Sequence, residues 1–316
     1  MIVTLTPNPS LDRTVTLAGP LARGAVQRVV SVTQQSGGKG VNISRAAVSA
    51  GLATVAVLPA ADDDPFVRDL TSAGIPSHPT LPAGEIRMNI AITEPDGTTT
   101  KLNSPGATVG GPELDAMAQA LLHHTDDASW VVLAGSLPPG APSDWYASLV
   151  RLLRPSGARL AVDTSEDPLE ALVAGFPGAA PDLMKPNGEE LASLTGADGD
   201  ALEGTPAEAA EAAKVLVERG VGAVLATLGG NGAVLVTDEG AWHAAAPPVE
   251  VVSTVGAGDS SLFGYLLGDE RRLSPPERLA WAVAYGSAAA GLPGTTIPDP
   301  SQVHVDRVRV ASLAPA

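Results

Sequence analysis

Short apolar runs alternating with helical stretches constrain this chain more than any other feature. Trp130-Val131-Val132-Leu133-Ala134, Arg159-Leu160-Ala161-Val162 and Ala223-Val224-Leu225-Ala226-Thr227 read as buried strands. Between them lie helical patterns at 145–153 and 206–219. The second is opened by Thr205 as a plausible N-cap and Pro206 at the first helical position. Such alternation predicts parallel strands joined by right-handed crossovers. The expected fold is α/β: a mostly parallel central sheet flanked by helices. Ligands of such sheets sit at the carboxyl ends of the strands. The residues that follow each strand therefore matter most: Gly135-Ser136-Leu137-Pro138-Pro139-Gly140, Asp163-Thr164, Lys185-Pro186-Asn187 and Leu228-Gly229-Gly230-Asn231-Gly232.

Two stretches break the alternation. Residues 12–33 hold strand-like pieces at 14–17 and 26–32 and no helix. Residues 85–103 read as a hairpin, with arms at 88–93 and 98–102 around Glu94-Pro95-Asp96-Gly97. Asp-Gly between β-rich arms is a strong hairpin signal. Together the segments about 12–33 and 85–103 are expected to form a small β-sheet lid at the ligand edge of a single domain spanning 1–316. A flat lid also offers a surface through which two copies could pair as a homodimer.

The formal net charge of −16 argues against non-specific nucleic-acid binding and against an anionic membrane surface. Met1-Ile2-Val3-Thr4-Leu5-Thr6 does not look like a signal peptide, and no run of 18 apolar residues occurs, so a cytoplasmic, non-membrane protein is expected. With no cysteine, disulfides and Cys-ligated zinc are excluded. If the ligands of so acidic a chain are phosphates, positive charge must be concentrated locally. The only four lysines are Lys39, Lys101, Lys185 and Lys214. The first three fall in Gly-, Pro- or Asn-rich segments, and Lys214 sits in a solvent-type helical pattern.

The strongest local motif is Ser253-Thr254-Val255-Gly256-Ala257-Gly258-Asp259-Ser260-Ser261, followed by a buried helical stretch at 262–267. Glycines leading into a helix let backbone N–H groups approach an anion, which the helix dipole also favours. Asp259 would lie in the first turn, beside that anion, where a carboxylate can take the proton of an attacking hydroxyl. The alternative is an ordinary turn with Asp259 as a helix cap.

A second glycine-rich approach to a helix, Gly37-Gly38-Lys39-Gly40-Val41-Asn42, precedes a helical stretch at 43–50. It lacks P-loop spacing. It can hold sugar hydroxyls through Asn42 and a phosphate through Lys39, or be a tight turn with an incidental lysine. Asp12, after Thr6-Pro7-Asn8-Pro9-Ser10-Leu11, could accept hydrogen bonds from sugar hydroxyls. In Lys185-Pro186-Asn187-Gly188-Glu189-Glu190, Asn187 and Glu190 could help hold a magnesium ion through waters, or simply cap an acidic helix start. A dinucleotide-binding fingerprint is absent, because Thr6-Pro7-Asn8-Pro9 follows the first strand.

Taken in order, these segments resemble the ribokinase-like (PfkB) carbohydrate kinases over nearly the whole chain. Residues 37–42 look like the family's N-terminal signature and residues 253–260 like its C-terminal one, about 215 positions apart. Thr6-Pro7-Asn8-Pro9-Ser10-Leu11-Asp12, Asn103-Ser104-Pro105-Gly106 and residues 135–140 look most like the bacterial 1-phosphofructokinases, with tagatose-6-phosphate kinases next. The resemblance implies ATP-dependent phosphorylation of D-fructose 1-phosphate to D-fructose 1,6-bisphosphate, with ATP and Mg2+ and a monovalent cation such as K+. Asp259 would be the base, and Gly256, Ala257 and Gly258 the anion hole for the transferred phosphoryl. Asp12, Gly38 and Asn42 would contact the sugar, and Lys39, Arg87 and Lys101 its phosphate. Lys185, Asn187, Thr227, Gly229 and Gly232 would line the nucleotide site, with Glu190 supporting the metal through water. Residues 284–296, with Gly291, Gly294 and Thr295, would border the adenine and a monovalent-cation site.

One departure stands out. Ala60-Ala61-Asp62-Asp63-Asp64-Pro65 places three aspartates where the family usually has glycines. That puts this loop's sugar contacts in doubt unless the aspartates face solvent. A different class, a non-catalytic sugar-phosphate binding protein, would be expected to have lost Asp259 or the Gly256/Gly258 pair, and both are intact.

Overall fold

The computed structural model describes residues 1–313; the last three of the 316 expected in the domain lie outside the described residues. Fourteen strands form two sheets. The large one holds β1 (Ile2–Leu5), β4 (Thr54–Pro59), β5 (Ser77–Thr80), β8 (Trp130–Ala134), β9 (Arg159–Asp163), β10 (Leu183–Met184), β11 (Ala223–Thr227), β12 (Ala233–Thr237), β13 (Gly240–Ala245) and β14 (Arg309–Leu313). Its order is β14-β13-β12-β11-β10-β9-β8-β1-β4-β5. From β5 across to β11 every pairing is parallel, and β12, β13 and β14 add an antiparallel edge.

Strand alternation divides the core between the two faces of this sheet. Val3, Leu5, Val131 and Leu133 face one way. They pack under α3 (Gly111–His124), α4 (Trp145–Leu153), α5 (Glu166–Ala174), α6 (Gly188–Thr195), α7 (Gly199–Gly204) and α8 (Pro206–Glu218). Ile2, Trp130, Val132 and Ala134 face the other way, under α1 (Lys39–Ser49), α9 (Ala257–Glu270) and α10 (Pro275–Ala290). A third cluster joins Val41 and Leu58 to Phe66 and Leu70 of α2 (Pro65–Ser72). Central strands buried on both faces explain why they read as unbroken apolar runs.

The small sheet has the order β3-β2-β6-β7, from β2 (Ser10–Leu17), β3 (Val29–Gly37), β6 (Arg87–Thr93) and β7 (Thr99–Asn103). β2 and β6 are parallel, with Ser10 opposite Arg87 and Asp12 opposite Asn89. The hairpin turn lies where Asp-Gly predicts it: the Glu94 N–H donates to Thr98 O and the Gly97 N–H to Glu94 O. The expected strand at 26–32 instead runs from Val29 to Gly37. Thr33-Gln34-Gln35-Ser36 has little β-propensity by itself, but antiparallel pairing with residues 10–14 holds it extended.

Of the three aspartates of the 60–65 loop, one serves the start of α2. Asp64 is its N-cap, accepting from Phe66 N at 2.8 Å, while Asp62 and Asp63 are exposed.

Candidate active site

The centre is built where α1 and α9 meet the carboxyl ends of the large sheet. Gly256, at φ 80°, takes the left-handed conformation and starts α9. Asp259 is the third residue of that helix and is 7% exposed. Its Oδ2 accepts from Asn42 Nδ2 of α1 at 2.8 Å, so its partner is a side chain across the site rather than the helix it begins. α1 approaches closely because two glycines allow it. A Cβ at Gly38, whose φ is 121°, would strike Thr6, and one at Gly40 would fall 2.6 Å from Leu5 O.

Lys39 reaches across to Asp163 at the end of β9, with Nζ 2.7 Å from Oδ1. Lys185, only 5% exposed, lies 3.2 Å from the other oxygen, Oδ2. Two of the four lysines thus share one buried carboxylate. Burial alone would raise Asp163, yet Lys185 and Lys39 hold its carboxyl below the ordinary range. Burial would likewise depress Lys39, but Asp163 and Asp259 outweigh it and keep the ammonium charged. At Asp259 burial prevails: its pKa is raised, with Lys39 and the Asn42 hydrogen bond opposing and Asp163 reinforcing. A partly desolvated carboxylate with a raised pKa is a better proton acceptor than a surface aspartate.

Two cavities flank this centre. One, of about 550 Å³, is lined by Lys39, Lys185, Asn187, Glu190, Thr227, Gly229, Gly232, Gly256, Ala257, Gly258 and Asp259. Val249, Val251, Val283 and Ala290 supply its apolar wall. That size and mixed lining suit a nucleotide. Gly232, at φ 90°, is required because a Cβ there would run into Ala244 O. Asn187 and Glu190 make a reciprocal capping box: Glu190 N donates to Asn187 Oδ1 at 2.7 Å, and Asn187 N to Glu190 Oε2 at 2.9 Å. The capping alternative is therefore realised, and both residues still face the cavity. Among the described residues no group of three or more His, Asp or Glu side chains is arranged to hold a metal. That donor set fits a magnesium ion carried on phosphate oxygens and water, with Glu190 alongside.

The other cavity, of about 600 Å³, lies under the small sheet. Asp12 and Lys101 line it, with Asn89, Asn103 and the 293–296 loop. Arg87 lines a third, more open space with Asn103, Ser104 and Ser136. Its guanidinium donates to Asn8 O at 3.2 Å and Ser104 O at 3.1 Å.

Lys39, expected at the substrate's own phosphate with Arg87 and Lys101, lines the nucleotide-sized cavity and pairs with Asp163, while Lys101 and Arg87 line neighbouring spaces. Gly294 and Thr295, expected to border adenine and a monovalent-cation site, line the cavity under the small sheet, while Gly286, Ser287 and Ala290 of α10 border the nucleotide-sized one. Asn89 is the site residue that the sequence reading did not single out; Asp163 stands there among the residues that follow a strand, but with no role given to it.

A family model described as "pfkB family carbohydrate kinase" matches residues 6–302. The 1-phosphofructokinase of Rhodobacter capsulatus is 36% identical over 306 residues, covering 96% of this chain and 94% of that protein. The fold is similar to that of Escherichia coli phosphofructokinase-2 in complex with substrates and products, at TM-score 0.87 and 29% identity, covering 96% of each chain. A structure of the same enzyme in complex with potassium matches at TM-score 0.84 and 28% identity, again over 96% of each chain.

Proposed function

The chain belongs to the pfkB family of carbohydrate kinases, and from that premise we propose that it phosphorylates D-fructose 1-phosphate to D-fructose 1,6-bisphosphate. It is an ATP-dependent sugar kinase. The observation that carries the choice of base is the position of Asp259, buried beside Lys39 and bonded to Asn42 at the start of α9; the substrate is supported by the similarity to 1-phosphofructokinases.

In this reading the sugar's 6-hydroxyl gives its proton to an Asp259 carboxylate oxygen. The hydroxyl oxygen bonds to the γ-phosphorus of ATP, the bond from that phosphorus to the β–γ bridging oxygen breaks, and ADP leaves. Lys39, Lys185 and the N–H groups of residues 256–258 meet the charge on the transferred phosphoryl. Bound magnesium supplies further charge neutralisation across the phosphates. Asp12 and Asn42 hold the sugar. Arg87 and Lys101, which line neighbouring spaces, meet the phosphate the substrate already carries. A monovalent cation such as K+ would take part, a reading supported by the potassium complex of E. coli phosphofructokinase-2; residues 291–295 are its proposed neighbours.

The working unit in this reading is one cytoplasmic domain whose small sheet acts as a lid. Among the described residues no helix is long and apolar enough to cross a membrane. Exposed Val26, Val29, Val30 and Val32 on or beside β3 favour a homodimer through the lid. Sedimentation of Val30→Glu tests this; an unchanged dimer, or a monomeric parent, removes it.

The reaction is tested by ADP release with magnesium and ATP over fructose 1-phosphate, fructose 6-phosphate, tagatose 6-phosphate, fructose and ribose. Fructose 1-phosphate is expected to give the highest kcat/KM, and Asp259→Asn to lose about 10²–10⁴-fold in kcat. A different best phosphosugar would overturn the substrate alone. An active Asp259→Asn enzyme would overturn the base.

A further inference from the structure

The register of the small sheet lines up four side chains across all four strands. Asp12 is opposite Gln35 on β3 and Asn89 on β6, and Asn89 is opposite Asn103 on β7. All four line the cavity under the sheet. Within this row Asp12 is held asymmetrically. Its Oδ1 accepts from Ser10 Oγ at 2.8 Å and from Asn89 Nδ2 at 3.0 Å. Its Oδ2 lies against Gly37, and a Cβ at position 37 would run into that oxygen. Gly37 is not among the glycines with positive φ. Space for the Asp12 carboxylate, rather than backbone conformation, is what its missing side chain provides. The Asp12 carboxylate can only accept, which fixes the sense of the Asn89 amide: its NH2 faces Asp12, and its oxygen is left buried without a partner.

We propose that Asn89, with Ser10, is a positioning residue that occupies one oxygen of Asp12 and thereby presents the other to a hydroxyl of the sugar phosphate. A free aspartate can rotate its two oxygens into one another and greet a hydroxyl with either. An aspartate clamped through Oδ1 has one free acceptor in one direction. Such a group discriminates between hydroxyl epimers, because a misplaced hydroxyl leaves a desolvated oxygen unpaired. The clamp spans β2 and β6, 77 positions apart in sequence, so it exists only when the small sheet is assembled. The inference rests on the reading that a sugar phosphate binds beneath this sheet.

A double-mutant cycle tests it. KM and kcat for fructose 1-phosphate are measured for the parent, Asn89→Ala, Asp12→Ala and the double variant, together with calorimetric binding of the same sugar phosphate without ATP. Asn89→Ala is expected to raise KM and Kd for the sugar about tenfold, with KM for ATP and Tm unchanged. It should also narrow the parent's preference for fructose 1-phosphate over tagatose 1-phosphate. Asp12→Ala should cost more, and the double variant no more than Asp12→Ala alone, since Asn89 acts through Asp12. Multiplicative losses would overturn the proposal, because Asn89 would then act on its own. An unchanged sugar Kd in Asn89→Ala would overturn it equally. If the parent binds the sugar phosphate but does not turn it over, the reaction assigned above fails while the cycle is still read from Kd.

Discussion

The two sheets of this molecule solve different problems with the same backbone. The strands at the centre of the large sheet are buried on both faces, mostly parallel and almost wholly apolar, and they contribute chemistry only where they end. Asp163 is the last residue of β9, Lys185 follows β10 and Thr227 closes β11. The small sheet is mostly half-buried or exposed, and its candidate functional side chains stand along the strands rather than at their tips. The difference teaches where precision comes from. Groups proposed to meet the transferred phosphoryl are anchored in packed core. Groups proposed to meet the sugar stand on a more exposed layer.

Asp163→Ala should break the contrast most severely, because it leaves Lys185 buried and unpaired. Loss of one partner from a buried ion pair costs roughly 3–5 kcal/mol. The urea midpoint should fall accordingly, and activity with it; an unchanged midpoint would show that Asp163 does not hold the two lysines. Next comes Leu225→Ala in β11, fully buried, at about 2–5 kcal/mol. Val30→Glu on the outer face of β3, 65% exposed, should stay within about 0.5 kcal/mol for the monomer. Thermal unfolding of the pair measures the contrast directly, and equal losses would erase it.

The smallest effect sharpens the electrostatic side. Burial raises Asp259 while Lys39 pulls it down. Lys39→Met removes the opposing charge, so the carboxylate should protonate at higher pH. The acid limb of kcat/KM should therefore move upward in pH, beyond any loss of kcat. A limb that stays put would mean that Lys39 does not sense Asp259.

Much of this was legible in the sequence. Continuous apolar runs separated by helical patterns give a parallel sheet almost without choice, and Gly256-Ala257-Gly258-Asp259 before a buried stretch gives the glycine-led start of α9 at a cavity. Asp-Gly at 96–97 places the hairpin. What was hidden is decided by partners far along the chain. Lys39 looks equally suited to either cavity until Asp163, 124 positions away, takes its ammonium. Residues 33–36 lack the composition of a strand and become one only by pairing with β2. Asn89 carries no local signal at all, since its meaning lies in facing Asp12 across a parallel ladder.

That ladder has a mechanical consequence. Ser10, Gly37 and Arg87 stand level at one end of the small sheet, and Asn103 lies two residues in. The chain therefore passes between the two sheets along a single line, and the opposite end carries buried Leu17 and the 94–98 turn. Seven steps from Ser10 to Leu17 make an arm of about 23 Å. Rotation by about 10° around the line would swing the tip by about 4 Å while displacing Ser10 hardly at all. If the small sheet closes as the proposed lid, its tip is the place to watch. Because the chain has no cysteine of its own, one thiol introduced at exposed Asp96 would carry a single reporter at the point of greatest travel.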